Sequence, residues 1–93
     1  MKKYLPIGSI VTLKNETKKM MIIGRSQVCE DVQYDYSACL FPEGYLNKDS
    51  LYIFNNDDID KLYYVGMQNE EEFKFQKALV EAEEKLEKEG NNR

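Results

Sequence analysis

The segment Leu5–Arg25 constrains the fold more than any other part of this chain. It reads Leu-Pro-Ile-Gly-Ser-Ile-Val-Thr-Leu-Lys, then a polar tip Asn15-Glu16-Thr17-Lys18, then Lys-Met-Met-Ile-Ile-Gly-Arg. Two apolar runs around a short polar tip specify a β-hairpin that opens a small sheet. Pro6-Ile7-Gly8 predicts a turn before a first strand at Ser9 to Lys14. Met20 to Gly24 predicts the returning strand, with Gly24 marking a bulge or bend.

Three more strands follow by the same logic. Residues Ser26 to Val32 are polar and read as irregular. Gln33 to Phe41 alternates: Tyr34, Tyr36, Ala38 and Leu40 share one face, and Asp35, Ser37 and Cys39 the other. Pro42-Glu43-Gly44 ends that strand in a turn, because proline cannot donate to the ladder. Tyr45 to Ser50 reads as a loop, and Leu51 to Phe54 as a short buried strand. Asn55 to Asp58 reads as a capped single turn leading to Ile59, and Lys61 to Gly66 as the last strand. Five short strands with tight turns predict a strongly curved antiparallel sheet, laid out as a meander, or an SH3-like barrel.

The C-terminal segment reads as an amphipathic α-helix over residues 69–89, with a frayed tail at 90–93. Asn69 is a good N-cap, Glu72 completes a capping-box pattern, and Glu70, Glu71 and Glu72 suit the positive end of the helix dipole. Gly90 is expected to stop the helix. Glu81/Lys85 and Glu84/Lys88 are spaced as i,i+4 ion pairs. At about 100° per residue, Phe75, Ala78, Leu79, Ala82 and Leu86 form one apolar stripe, while Phe73 and Val80 lie across charge from it. The first stripe is expected to cover the sheet. The whole predicts one α+β domain over residues 1–93, β-rich at about 4–66.

Charge is unevenly spread. Residues 1–28 hold six bases against Glu16 alone, a net of +5, whereas residues 29–93 hold seven bases and sixteen acids, a net of −9. Such asymmetry bears on partners rather than on fold, and it permits a homo-oligomer without requiring one. At 42% hydrophobic and 32% charged, the chain has the composition of a globular protein. Only two cysteines are present, not spaced as CxxC, so no disulfide framework is implied, and Cys39 is expected to pack. No run approaches ~20 apolar residues and no apolar signal core follows Lys2-Lys3, so a cytoplasmic protein without a membrane span is expected.

The chain contains no histidine, which removes Ser/His/Asp and Cys/His nucleophile pairs and the commonest general base at neutral pH. Cys29, Cys39 and carboxylates lack the paired spacing of structural zinc sites. Asp57, Asp58 and Asp60 fail the calcium-loop pattern, because Asp60 and Gly66 occupy the sixth and twelfth positions counted from Asn55. They read as turn caps. Glu30, Asp31, Asp35 and Glu43 have no spacing that specifies a cleft. Gly8, Gly24 and Gly44 are too scattered for a phosphate loop. A basic hairpin interleaved with tyrosine fits a nucleic-acid surface, but the acidic remainder repels phosphate. No enzyme, cofactor or metal is expected.

Several segments share an ordered pattern with one known family. Leu5-Pro6-Ile7-Gly8-Ser9-Ile10-Val11, Met21-Ile22-Ile23-Gly24-Arg25, Tyr34-Asp35-Tyr36 through Phe41-Pro42-Glu43-Gly44, Phe54-Asn55 through Asp58-Ile59-Asp60-Lys61, and Val65-Gly66 before an acidic helix resemble domain of unknown function 4176. This is a small family of uncharacterised proteins from Gram-positive bacteria, and the resemblance covers roughly residues 4–80. Its members are typically encoded beside type VII secretion components and their polymorphic toxins. The resemblance therefore implies an adaptor, chaperone or targeting partner for an exported effector, and it names no catalytic residue. The chain lacks the Trp-x-Gly hairpin of the small secreted substrates. An immunity protein that neutralises a basic toxin domain is the alternative, with a small nucleic-acid-binding barrel behind it. Protein recognition is expected on Phe73 and Val80 of the helix and on the tyrosines Tyr63 and Tyr45.

Overall fold

The computed structural model of the chain describes residues 3–91, with side chains through Leu86. Strands β1 (Ile10–Leu13), β2 (Met20–Cys29), β3 (Val32–Leu40), β4 (Tyr52–Phe54) and β5 (Ile59–Tyr64) precede one helix, α1 (Glu70–Asn91). The strands form one antiparallel sheet in the order β4-β3-β2-β1-β5. The first four strands are the expected meander. The fifth departs from it by pairing with β1.

This departure explains the curvature. In a flat five-stranded sheet the edge strands β4 and β5 would stand about 19 Å apart. Yet Phe54 and Ile59 are joined by only four residues, three of them in a 3-10 turn (Asn56–Asp58), and even fully extended such a link reaches at most about 18 Å. The sheet must curl to bring its two edges toward each other. It stays open, because β4 and β5 do not pair, so the barrel alternative is not realised.

Three local expectations are corrected. Residues 26–32 are not irregular: β2 continues to Cys29 and turns back through Glu30 (φ 51°) and Asp31 (φ 66°). Positive φ at both central residues is the primed turn that matches strand twist, made here without the usual Asn-Gly. The strand β4 is an edge strand rather than a buried one, since only Phe54 is buried and Tyr52 and Ile53 are exposed. The helix runs through Gly90 to Asn91, while Asn92 and Arg93 lie outside the described residues. The bulge at Gly24 is present, as a register shift between Ile22 and Gly24. A Cβ there would stand 2.3 Å from Ser37 Oγ, so any larger residue at the bulge would have to displace the Ser37 side chain.

The core lies between the curled sheet and α1. Val11, Met20, Ile22, Tyr36, Ala38 and Phe54 come from the strands, Tyr4 from the N-terminal segment, and Val80 from the helix. Tyr36 sits at its centre, fully buried, with its ring edge-on to Tyr4 at 5.8 Å and tilted against Phe54 at 5.6 Å. Its hydroxyl accepts the Leu5 N–H at 2.8 Å and donates to Asn56 Oδ1 at 2.6 Å. Burial pushes the Tyr36 phenol pKa up. Behind it, the Asp35 backbone N–H donates to Asn55 Oδ1 and Asp35 Oδ2 accepts the Asn56 N–H. The alternating face of β3 therefore binds the 3-10 turn, and Cys39 packs as expected. Tyr36→Phe keeps the ring but strands the Leu5 N–H and Asn56 Oδ1. A loss of about 1–3 kcal/mol is expected in urea denaturation. An unchanged midpoint would remove the hydroxyl from this role.

Candidate functional site

The way α1 meets the sheet decides what surface it offers. Asn69 caps the helix as its sequence implies, with Oδ1 accepting the Glu72 N–H at 2.8 Å. The reciprocal half of the capping box is not made. Instead the Glu72 carboxylate takes the Arg25 guanidinium in two parallel bonds of 2.8 and 2.7 Å. A bidentate charged pair outcompetes a backbone N–H that water can serve. The two side chains are 4% and 12% exposed, and Arg25 holds the Glu72 carboxyl below its ordinary pKa.

The rest of the docking is also largely polar. Gln76 Oε1 accepts the Tyr4 N–H at 3.1 Å, the Tyr4 hydroxyl donates to Glu83 Oε1, and Gln33 Nε2 donates to Glu83 Oε2 at 2.6 Å. Burial and the Glu83 carboxylate both push the Tyr4 phenol upward. Among the described residues of the helix, Leu79 and Val80 pack on the core. The expected first stripe therefore does not cover the sheet: Phe75 and Leu86 are 56% and 65% exposed, and Ala78 and Ala82 face solvent. At 100° per residue the docked arc, Glu72 to Glu83, falls between the two apolar flanks. The exposed i,i+4 ion pair formed is Glu70–Lys74 at 3.1 Å, not Glu81–Lys85, and the Lys88 side chain lies outside the described residues.

This geometry separates the four residues expected to carry recognition. Val80 is 5% exposed and belongs to the core, so it is not available at an open surface. Phe73 is 56% exposed. Both nonetheless line one groove of about 470 Å³ between the N-terminal segment, residues 65–68 and the helix, with Leu5, Pro6 and Val65 as further apolar walls and Lys3 and Lys77 beside them. Tyr63 lines a second apolar depression of about 460 Å³ with Ile10, Met21, Phe41 and Tyr64. There Lys19 Nζ lies 4.7 Å from the Tyr63 ring centroid, within cation–π range. Tyr45 is exposed but lines neither pocket.

The sequence reading missed Phe41, Met21 and Tyr64 as neighbours of Tyr63. Only the return of β5 to β1 brings them together, and no spacing in the chain encodes that. The carboxylates considered for acid/base work are dispersed. Glu30 and Asp31 form the β2–β3 turn, Asp35 is bound to the 3-10 turn, and Glu43 is paired with Lys18 at 2.7 Å, which lowers its pKa. Asp58 Oδ2 accepts the Asn55 N–H at 2.9 Å, the capping role expected of that acidic turn. No described helix is long and apolar enough to cross a membrane.

Residues 4–75 match the model of the family described as Domain of unknown function (DUF4176). The chain belongs to this family. The matched region spans the whole sheet, the groove segment and the first turns of α1, and so includes both partners of the Arg25–Glu72 bridge. Within this DUF4176 domain the open groove and the Tyr63 depression are built largely by matched residues. No curated protein and no solved structure is matched by the chain.

Proposed function

We propose that this DUF4176 chain is a cytoplasmic protein-binding module without chemistry of its own, acting as an adaptor or chaperone-like targeting partner for an exported toxin of a type VII secretion locus. The observation that carries the binding reading is the groove beside Phe73. A solvent-facing aromatic stands over an apolar floor that ends on core residue Val80. Large, rigid aromatic side chains supply contact area at low entropic cost. The secretion setting rests on the family resemblance alone.

Phe73→Glu tests the groove. Because the side chain is exposed, the variant is expected to stay within about 0.5 kcal/mol of the parent in stability, while capture of the co-expressed toxin falls at least about tenfold. Tyr45→Ala, remote from both pockets, is the control and is expected to bind as the parent does. Capture unaffected by Phe73→Glu would overturn the groove as the recognition surface.

The excess of acid beyond residue 28 favours a second reading, an immunity protein that occludes a basic toxin domain. Survival of toxin challenge on expressing this chain alone supports immunity. Loss of secretion on deleting it supports the adaptor.

A further inference from the structure

We propose that the apolar depression beside Tyr63 is a binding site for a small aromatic carboxylate, held between aromatic walls with its anion on Lys19. The inference does not rest on the proposed function, because this depression shares no lining residue with the Phe73 groove. Its position follows from strand alternation. Val11 and Met20 pair across β1 and β2 and belong to the core, so their neighbours Ile10 and Met21, also paired, face the other way. Ile10 is buried and Met21 half-buried, and together they make an apolar floor.

The walls depend on an irregularity in β5. Successive strand residues ordinarily point to opposite faces, which would keep Tyr63 and Tyr64 apart. Here β5 carries one extra residue against β1, since Ile10 pairs with Tyr64 but Val11 pairs with Leu62. Such a bulge re-aims a side chain, and both tyrosines line the same depression. With Phe41 they form three aromatic walls, each between 42% and 62% exposed. The enclosed space is about 460 Å³, inside the range of small-ligand sites, roughly 300–1,000 Å³.

Charge selects the guest. Among the described residues that line the depression, Lys19 alone is charged. Its Nζ lies 4.7 Å from the Tyr63 ring centroid. No carboxylate pairs with it among the described residues, and the neighbouring Lys18 has taken Glu43. A neutral apolar guest would strip water from this ammonium and return nothing, and a cationic guest would add repulsion. A carboxylate replaces the lost water with a charge-assisted hydrogen bond. An aromatic body suits the walls, because rings pack offset or edge-on against other rings.

The test titrates the nitrogen-labelled full chain with phenylbutyrate and, separately, with phenylbutylamine, which has the same body and the opposite charge. Proton–nitrogen correlation NMR is the readout. Phenylbutyrate is expected to shift the amides of Ile10, Lys19, Met21, Phe41, Tyr63 and Tyr64 saturably. Dissociation near roughly 1 mM suits a ligand of about a dozen non-hydrogen atoms. Phenylbutylamine is expected to bind about tenfold more weakly, although the chain's net charge of −4 would by itself favour the amine. Lys19→Met keeps the apolar stem without the charge, and is expected to bring the two ligands within about twofold of each other. Tyr64→Ala removes one wall and is expected to weaken both about fivefold while keeping the preference for the acid. If Lys19→Met perturbs amides beyond the depression, Lys19→Gln takes its place. No saturable shift up to about 10 mM, shifts that map elsewhere, equal affinity for the two ligands, or a preference that survives loss of the Lys19 charge overturns the inference. Shifts of these amides on raising the protein concentration alone would assign the depression to a second copy and also overturn it. So would shifts caused by an acidic phenylalanine-containing peptide where phenylbutyrate causes none, which would assign it to a protein partner.

Discussion

Gly66→Ala is expected to destabilise the chain by about 3 kcal/mol or more, a large part of the total stability of a small domain, which runs from about 5 kcal/mol upward. A Cβ at position 66 would stand 2.0 Å from the Ile7 carbonyl oxygen, 2.9 Å from its carbon and 3.1 Å from Ser9 N. All three are backbone atoms, so no side chain can swing away. The position is also tied from the other direction, because the Gly66 N–H donates to Ser9 Oγ at 3.0 Å, and that hydroxyl donates to Pro6 O at 2.7 Å. Relieving the clash would pull the N-terminal segment off the end of β5 and open the groove wall at Val65. A fall in melting temperature of about 12 °C or more is expected, at about 4–8 °C per kcal/mol for a domain of this size. A shift below about 4 °C would mean that the close approach of residues 7 and 66 is not part of the folded state in solution.

Removing the carboxylate from Glu72 is expected to be nearly as damaging, and to change how stability depends on pH. Glu72→Gln leaves the Arg25 guanidinium buried without its counter-charge, and Arg25 Nε already has no partner among the described residues. Losing one partner of a buried pair costs about 3–5 kcal/mol. The helix start can lift and let water reach Arg25, so the loss is expected near the lower bound, together with weaker docking of α1. The sign of the pH effect follows from the lowered folded-state pKa of Glu72. Its stabilisation is fully present above the unfolded carboxylate value of about 4.3 and is lost as pH falls through the lower folded value. The parent and Glu72→Gln are therefore expected to differ most near pH 7 and to converge in strong acid. Urea midpoints at both ends measure this. A parent and variant with the same acid slope would show that the bridge does not hold the helix.

The strands and turns were legible because they depend on neighbours along the chain. The alternation of Tyr34 to Leu40, the turns at Pro6-Ile7-Gly8 and Pro42-Glu43-Gly44, the bulge at Gly24 and the Asn69 cap each arise from a few adjacent residues. The continuation of β2 past Arg25 was not legible, because Ser26 and Glu30 adopt positive φ that their residue types rarely take. The candidate site was half legible. Phe73 and Tyr63 could be picked out as aromatic side chains on a helix and a late strand, but not their surroundings.

The amino-acid order alone determined that this chain would build short antiparallel strands, a curved sheet and a capped acidic helix. It also determined that no histidine-based chemistry could be assembled. Tertiary structure decided that β5 would return to β1 and gather Tyr63 with Phe41 and Met21. It also decided that α1 would sit on the arc between its two apolar flanks. Hydrophobic periodicity marked both flanks and favoured the longer one. The choice was made by Arg25, forty-seven residues from Glu72 along the chain. A desolvated guanidinium has to find its carboxylate, and meeting that need turned Val80 into the core, left Phe73 facing water on one side of the helix and set Phe75, on the other, half-exposed beside the guanidinium at 5.4 Å from its ring centroid.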